Sequence, residues 1–116
     1  DVTEVRSSVI DSSTTHEVLF DASTIAATVT ASTDGGFIFL RNLTEGLTTT
    51  ADIYIGHGSS AALEESGGSE STRLMTLKPG EFSFFAWDME ADIILDASAA
   101  VVGALEAVLF VRTGTA

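Results

Sequence analysis

Two stretches of this chain alternate as β-strands do, yet both of their faces are apolar. They are Gly36-Phe37-Ile38-Phe39-Leu40-Arg41-Asn42-Leu43 and Glu81-Phe82-Ser83-Phe84-Phe85-Ala86-Trp87. Successive strand side chains point to opposite faces. Phe37, Phe39 and Leu43 therefore share one face, with Ile38 and Leu40 on the other. In the second stretch Phe82 and Phe84 oppose Phe85 and Trp87. A third run repeats the pattern, setting Leu105, Ala107, Leu109 and Val111 against Val108 and Phe110. An antiparallel sandwich normally turns one polar face of each sheet to water. A chain of 116 residues can build one domain with one core, so it cannot bury two sets of faces separately. One set must fill the interior, and the other must meet an extra segment of the same chain or a neighbouring copy. The expected interface residues are Ile38, Leu40, Tyr54, Phe85, Trp87, Val108 and Phe110. This pattern predicts an assembling β protein.

The apolar period is two almost throughout, with β-branched and aromatic residues clustered between Gly, Asp and Ser. Strands are predicted near Glu4–Ile10, His16–Phe20, Ile25–Ala31, Phe37–Leu43, Asp52–Gly56, Thr72–Leu77, Glu81–Trp87, Asp92–Asp96 and Ala104–Arg112. About nine short strands, with turn residues every ten positions or so, predict an all-β, antiparallel, jelly-roll-like β-sandwich. Asp34-Gly35-Gly36 predicts a tight hairpin between the third and fourth strands. Lys78-Pro79-Gly80-Glu81 has the Pro and Gly of a type II turn and predicts a second hairpin. Residues 1–15 are polar, with Val5, Val9 and Ile10 as anchors, and are expected to form an N-terminal arm or swapped strand. Residues 16–116 are expected to form the single sandwich domain. The acidic, Gly/Ser-rich stretch Ser59–Ser71 has no strand pattern and reads as a long loop.

Seventeen acidic residues against five basic ones give a formal charge of -12. Five dispersed cations cannot build a patch for nucleic-acid phosphates or an anionic membrane, so neither is expected as a partner. There is no cysteine, hence no disulfide or thiolate chemistry. No run approaches the length of a membrane-spanning helix. Asp1-Val2-Thr3-Glu4 lacks the basic and apolar start of a signal peptide, and the missing initiator Met points to an upstream segment cleaved or left out.

The chemistry-bearing residues are scattered. His57, in Gly56-His57-Gly58-Ser59, reads as part of a turn rather than a ligand pocket, and His16 reads as a surface residue. Two histidines so far apart make no metal site without further ligands. Asp88, Glu90, Asp92 and Asp96 lack the spacing of a calcium loop, so divalent cations are expected to be dispensable and no cofactor is expected. There is no Gly-x-Ser-x-Gly elbow and no phosphate-cradling glycine loop. The Glu64-Glu65 pair falls in the polar stretch, where a glycosidase pair would be poorly held. The chain is therefore not expected to be an enzyme. Asn42-Leu43-Thr44 matches the glycosylation triplet, a match frequent by chance. Tyr54 and Trp87 are the aromatics that would stack on sugars, although a strand-borne Trp more often sits in a core or interface.

Four segments together carry a resemblance. They are Phe37-Ile38-Phe39-Leu40-Arg41-Asn42, Ala51-Asp52-Ile53-Tyr54-Ile55-Gly56, Leu77-Lys78-Pro79-Gly80-Glu81-Phe82 and Ala91-Asp92-Ile93-Ile94-Leu95-Asp96-Ala97. From Gly36 to Arg112 the chain resembles the small β-sandwich virion proteins of tailed bacteriophages, of the capsid cement, decoration and head-fibre type. Jelly-roll cupins share the Pro-Gly-Glu turn, but the His-x-His metal ligands expected beside it are missing. The resemblance implies a non-enzymatic homo-oligomer, trimeric by preference, that binds the major capsid protein on the capsid surface of a virion and carries no catalytic or cofactor residue. The alternatives are a glycan-binding fibre or extracellular adhesion module, using Tyr54, Trp87 and the Ser59–Ser71 loop, and an extracellular filament subunit.

Overall fold

A computed structural model describes residues 2–22, 35–57, 73–88 and 91–112. Among these lie eight strands: β1 (Val2–Ile10), β2 (Glu17–Phe20), β3 (Gly35–Asn42), β4 (Ile53–His57), β5 (Arg73–Leu77), β6 (Phe82–Trp87), β7 (Ile93–Ala97) and β8 (Leu105–Arg112). The ninth predicted strand, Ile25–Ala31, lies outside the described residues, as does Asp34. Gly35 and Gly36 are the first residues of β3 rather than a turn, and β8 and β6 occupy both sides of β3, so the hairpin predicted there does not form. The strands form two antiparallel four-stranded sheets, ordered β1-β8-β3-β6 and β2-β7-β4-β5. Consecutive strands thus alternate between sheets except at β4-β5, which is the connectivity of an eight-stranded jelly roll.

The period-two pattern decides what lies between the sheets. Ile38, Leu40, Trp87, Leu105, Ala107, Leu109 and Val111 from the first sheet share one buried cluster with Ile53, Ile55, Leu77, Ile93, Leu95 and Ala97 from the second. Ile10, Leu19, Phe20, Met75 and Phe85 pack against it from the margins. Full burial of one such side chain contributes about 1.5–3 kcal/mol before entropy is charged.

The Lys78–Glu81 turn forms as its residues require, but it does not make a hairpin. Glu81 N–H donates to the Lys78 carbonyl at 2.9 Å, and the Glu81 carboxylate accepts the Lys78 N–H at 2.7 Å. Gly80 sits at φ +85°, the left-handed position that a type II turn demands. The strands on either side then part: β5 pairs with β4 in one sheet and β6 with β3 in the other. The reason is a latch on the turn. Gly80 N–H donates to the Asn42 carbonyl, and Asn42 N–H donates to the Glu81 carbonyl. That holds the turn at the end of β3 and makes it a corner between sheets.

Asn42 ties this corner together. Its amide nitrogen donates to the carbonyls of Ala51 at 2.7 Å and Leu77 at 2.8 Å. Its amide oxygen accepts from Thr44 N–H at 2.9 Å and from the Thr44 hydroxyl at 2.7 Å. The Thr44 hydroxyl oxygen in turn accepts the Ala51 N–H at 3.1 Å. One fully buried side chain therefore joins the end of β3 to the segment entering β4 and to the end of β5.

The segment expected as an arm lies as β1 along β8 of its own chain, from Val2 opposite Arg112 to Ile10 opposite Leu105. Beyond it, buried Ser12 donates its hydroxyl to the Ala99 carbonyl at 2.8 Å and accepts the Val101 N–H at 2.9 Å. Asp11 accepts the Gly103 N–H at 2.8 Å. Deleting residues 1–15 would strip a ladder from β8 and take from the half-buried Ala99 carbonyl and Val101 N–H the partner that Ser12 supplies. We expect a clearly lower thermal midpoint. A truncated chain that melts with the intact one would restore the arm.

Candidate functional site, an aromatic outer face

Charged residues on the outer face of the first sheet identify it as the side away from the core. On β3 the alternation runs Phe37, Phe39, Arg41, and on β8 it runs Phe110, Val108, Glu106. Cross-strand partners point to the same side of a sheet, so the registers build three rows across all four strands. The first row is Val5, Phe110, Phe37 and Ala86; the second is Ser7, Val108, Phe39 and Phe84; the third is Val9, Glu106, Arg41 and Phe82. Five of the seven phenylalanines of the chain stand on this face.

Their rings touch one another. Phe37 and Phe84 are stacked with centroids 5.5 Å apart. Phe39 meets Phe82 at 5.9 Å, and Phe84 meets Phe110 at 5.9 Å, both tilted. Each such pair contributes about 0.5–1.5 kcal/mol beyond simple burial. Phe37, Phe39 and Phe110 are half-buried, but Phe82 and Phe84 remain in water at 67% and 57% exposure, and Val5 and Val9 are exposed at the opposite edge of the same face. Of the charges in the three rows there is one cation, Arg41, opposite one anion, Glu106. The face is thus locally neutral on a chain of net charge -12.

The interface residues expected from sequence divide. Ile38, Leu40 and Trp87 are the chain's own core, not an interface, because sheet β2-β7-β4-β5 covers that side. Phe85 is half-buried against the same core. Val108 and Phe110 do stand on the outer face, half-buried among the other rings. Tyr54 lies on the outer side of the second sheet, 4% exposed, clustered with Ile94 and capped by the Arg73 guanidinium 4.3 Å from its ring centroid. Phe37, Phe39, Phe82, Phe84, Val5 and Val9 are the apolar outer-face residues absent from that expectation. The signal for them was Arg41, which shares the parity of Phe37 and Phe39 and so marks their side as solvent-facing.

Other candidates do not converge on a reactive centre. Trp87 is 6% exposed, donates its indole N–H to the Ala91 carbonyl at 2.9 Å, and packs near Phe20, so it offers no stacking platform for a sugar. Tyr54 is likewise covered. Asn42 and Thr44 are fully buried and mutually bonded, which removes the triplet as a glycosylation acceptor in the folded chain. Asp92 accepts the Ala22 N–H and Asp96 the Ala97 N–H, both at 2.8 Å, while Asp88 is exposed at the end of β6. Glu90, Glu64, Glu65 and the Ser59–Ser71 stretch lie outside the described residues. Among the described residues no three His, Asp or Glu side chains are placed to hold a metal. His16 is exposed before β2. His57 is the last residue of β4 rather than part of a turn, and it lines a cavity of about 300 Å³ with Leu74, Phe85, Trp87 and Ile93.

Comparison with protein-family models, with curated proteins and with solved structures gave no match.

Proposed function

We propose that this chain is a non-enzymatic structural protein of a virus particle, which self-associates and reinforces the shell by bridging neighbouring capsid subunits. The observation that carries the proposal is the aromatic outer face: a contiguous, neutral, apolar surface on a strongly acidic chain. Soluble monomers rarely leave such patches in water. Phe82 and Phe84 alone leave roughly 250 Å² uncovered, about 6 kcal/mol of gross apolar driving force before ordering costs. The virion setting rests on the motif resemblance, and the acidic balance disfavours nucleic acid and anionic membrane as partners. The glycan-binding alternative loses both of its proposed stacking rings, since Tyr54 and Trp87 are covered.

Sedimentation of the purified chain at micromolar concentration is expected to give a mass above one chain. The Phe82→Ser, Phe84→Ser double variant should lower that mass while keeping its circular dichroism. In a particle preparation the chain should co-sediment at fixed stoichiometry. A monomer that also fails to bind particles would defeat the proposal.

A further inference from the structure

Each sheet has two edges, and an unpaired edge strand is a template for another strand unless something blunts it. Three of the four edges here are blunted. The β1 pairing shifts register between Val2 and Glu4, and Arg6 lies opposite Leu109 on the inward-facing side. The β2 pairing shifts between Val18 and Phe20, and Glu17 lies opposite inward-facing Leu95. The β5 pairing shifts between Ile55 and Gly56, beside Arg73. Edge strand β6 differs in both respects. It pairs with β3 without a shift from Phe82 opposite Arg41 to Trp87 opposite Gly36, and no charged residue interrupts Phe82–Trp87. No described strand occupies its other side.

We infer that β6 is the seam at which two copies of this chain join, antiparallel across a two-fold axis, so that two four-stranded sheets become one of eight strands. This rests on the self-association just proposed and specifies its geometry. A second copy presents the same neutral, unshifted edge and so supplies a matching strand by symmetry. Keeping outward residues opposite outward residues, a two-fold at Phe84 sets the Phe84 rings of the two copies opposite each other and Phe82 of each copy opposite Ala86 of the other, with all paired residues inside β6. The ring contacts already present across β3 and β6 then continue over the seam. Charge favours the same occupant, because β6 is neutral from Phe82 to Trp87 and brings no like charges together within that span. A two-fold seam closes after two copies, unlike the trimer that the resemblance implies. It also buries less than a standard interface, so the isolated dimer is weak and gains strength where many copies sit on one lattice.

The test is sedimentation equilibrium of the full chain in the micromolar range, with charges placed at the two ends of the same outer face. Phe84→Lys or Phe82→Lys on β6 is expected to raise the dimer dissociation constant at least tenfold, and Val5→Lys or Val9→Lys on β1 to change it less than twofold. All four side chains are exposed, so folding should survive, checked by thermal melts. Equal weakening by β1 and β6 variants would mean face-to-face stacking, overturning the seam but keeping self-association. A trimer or open polymer would overturn the two-fold. A chain that stays monomeric, or uses β6 only for a strand of another protein, would overturn both the seam and self-association.

Discussion

Replacing Asn42 with alanine is expected to destabilise the fold by about 3–5 kcal/mol, the largest single effect of any polar residue described. The substitution removes two donors and one acceptor from a site closed to water. It leaves the Leu77 carbonyl and Thr44 N–H without the partners they have in the intact protein, and it takes from the Ala51 carbonyl its shorter contact. Each unsatisfied buried group costs about 1–3 kcal/mol, and water has no path to replace the amide. Chemical denaturation should show a lower midpoint with an unchanged slope. Thr44→Val should cost less, since Asn42 keeps its two carbonyl partners. If Asn42→Ala lost less than about 1 kcal/mol, the corner would be held by the Pro79-Gly80 turn alone.

The second large effect separates the two faces of one strand pair. Leu40→Ala is expected to cost about 2–5 kcal/mol, because Leu40 is fully buried between the sheets and its removal opens a cavity. Phe84→Ala, on the opposite face, is expected to cost the isolated chain only about 1 kcal/mol, mainly its ring contacts with Phe37 and Phe110. The order reverses for assembly: Phe84→Ala should weaken self-association, and Leu40→Ala should leave the surviving folded fraction able to associate. Unfolding and sedimentation measured on the same two variants would read out both orders. Equal costs to folding would mean that the aromatic face is covered by the chain itself.

The split into two faces was legible from alternation alone, and eight of the nine predicted strands match described ones. Which face lay inside was not legible from hydrophobicity, because Phe37-Phe39 and Ile38-Leu40 are comparably apolar. Arg41 and Glu106 carry that information: a charge two residues along a strand marks the solvent side. Trp87 was drawn to the interface because large aromatics favour interfaces, but Ala91 satisfies its N–H inside the chain. The predicted hairpin at Pro79-Gly80 failed for a different reason. Turn chemistry fixes the local bend, whereas the partners of the flanking strands are set by Asn42 and by edges far away in sequence. The edge bulges leave no mark that a single sequence reveals.

The strand order also bears on how the chain can fold. β8, the last described strand in sequence, lies between β1 and β3 rather than at a margin. Before it arrives, β1 has no described partner in its sheet and β3 has only β6, so the apolar sides of both wait in water. Pairing between β1 and β8 spans nearly the whole chain, and such non-local closure is slow, on the order of milliseconds to seconds. A chain stalled before β8 would present Phe37, Phe39, Phe82 and Phe84 on an unfinished sheet, the kind of intermediate that aggregates. Losing β8 removes the keystone of the sheet, and the aromatic strands meant for assembly then become its principal hazard.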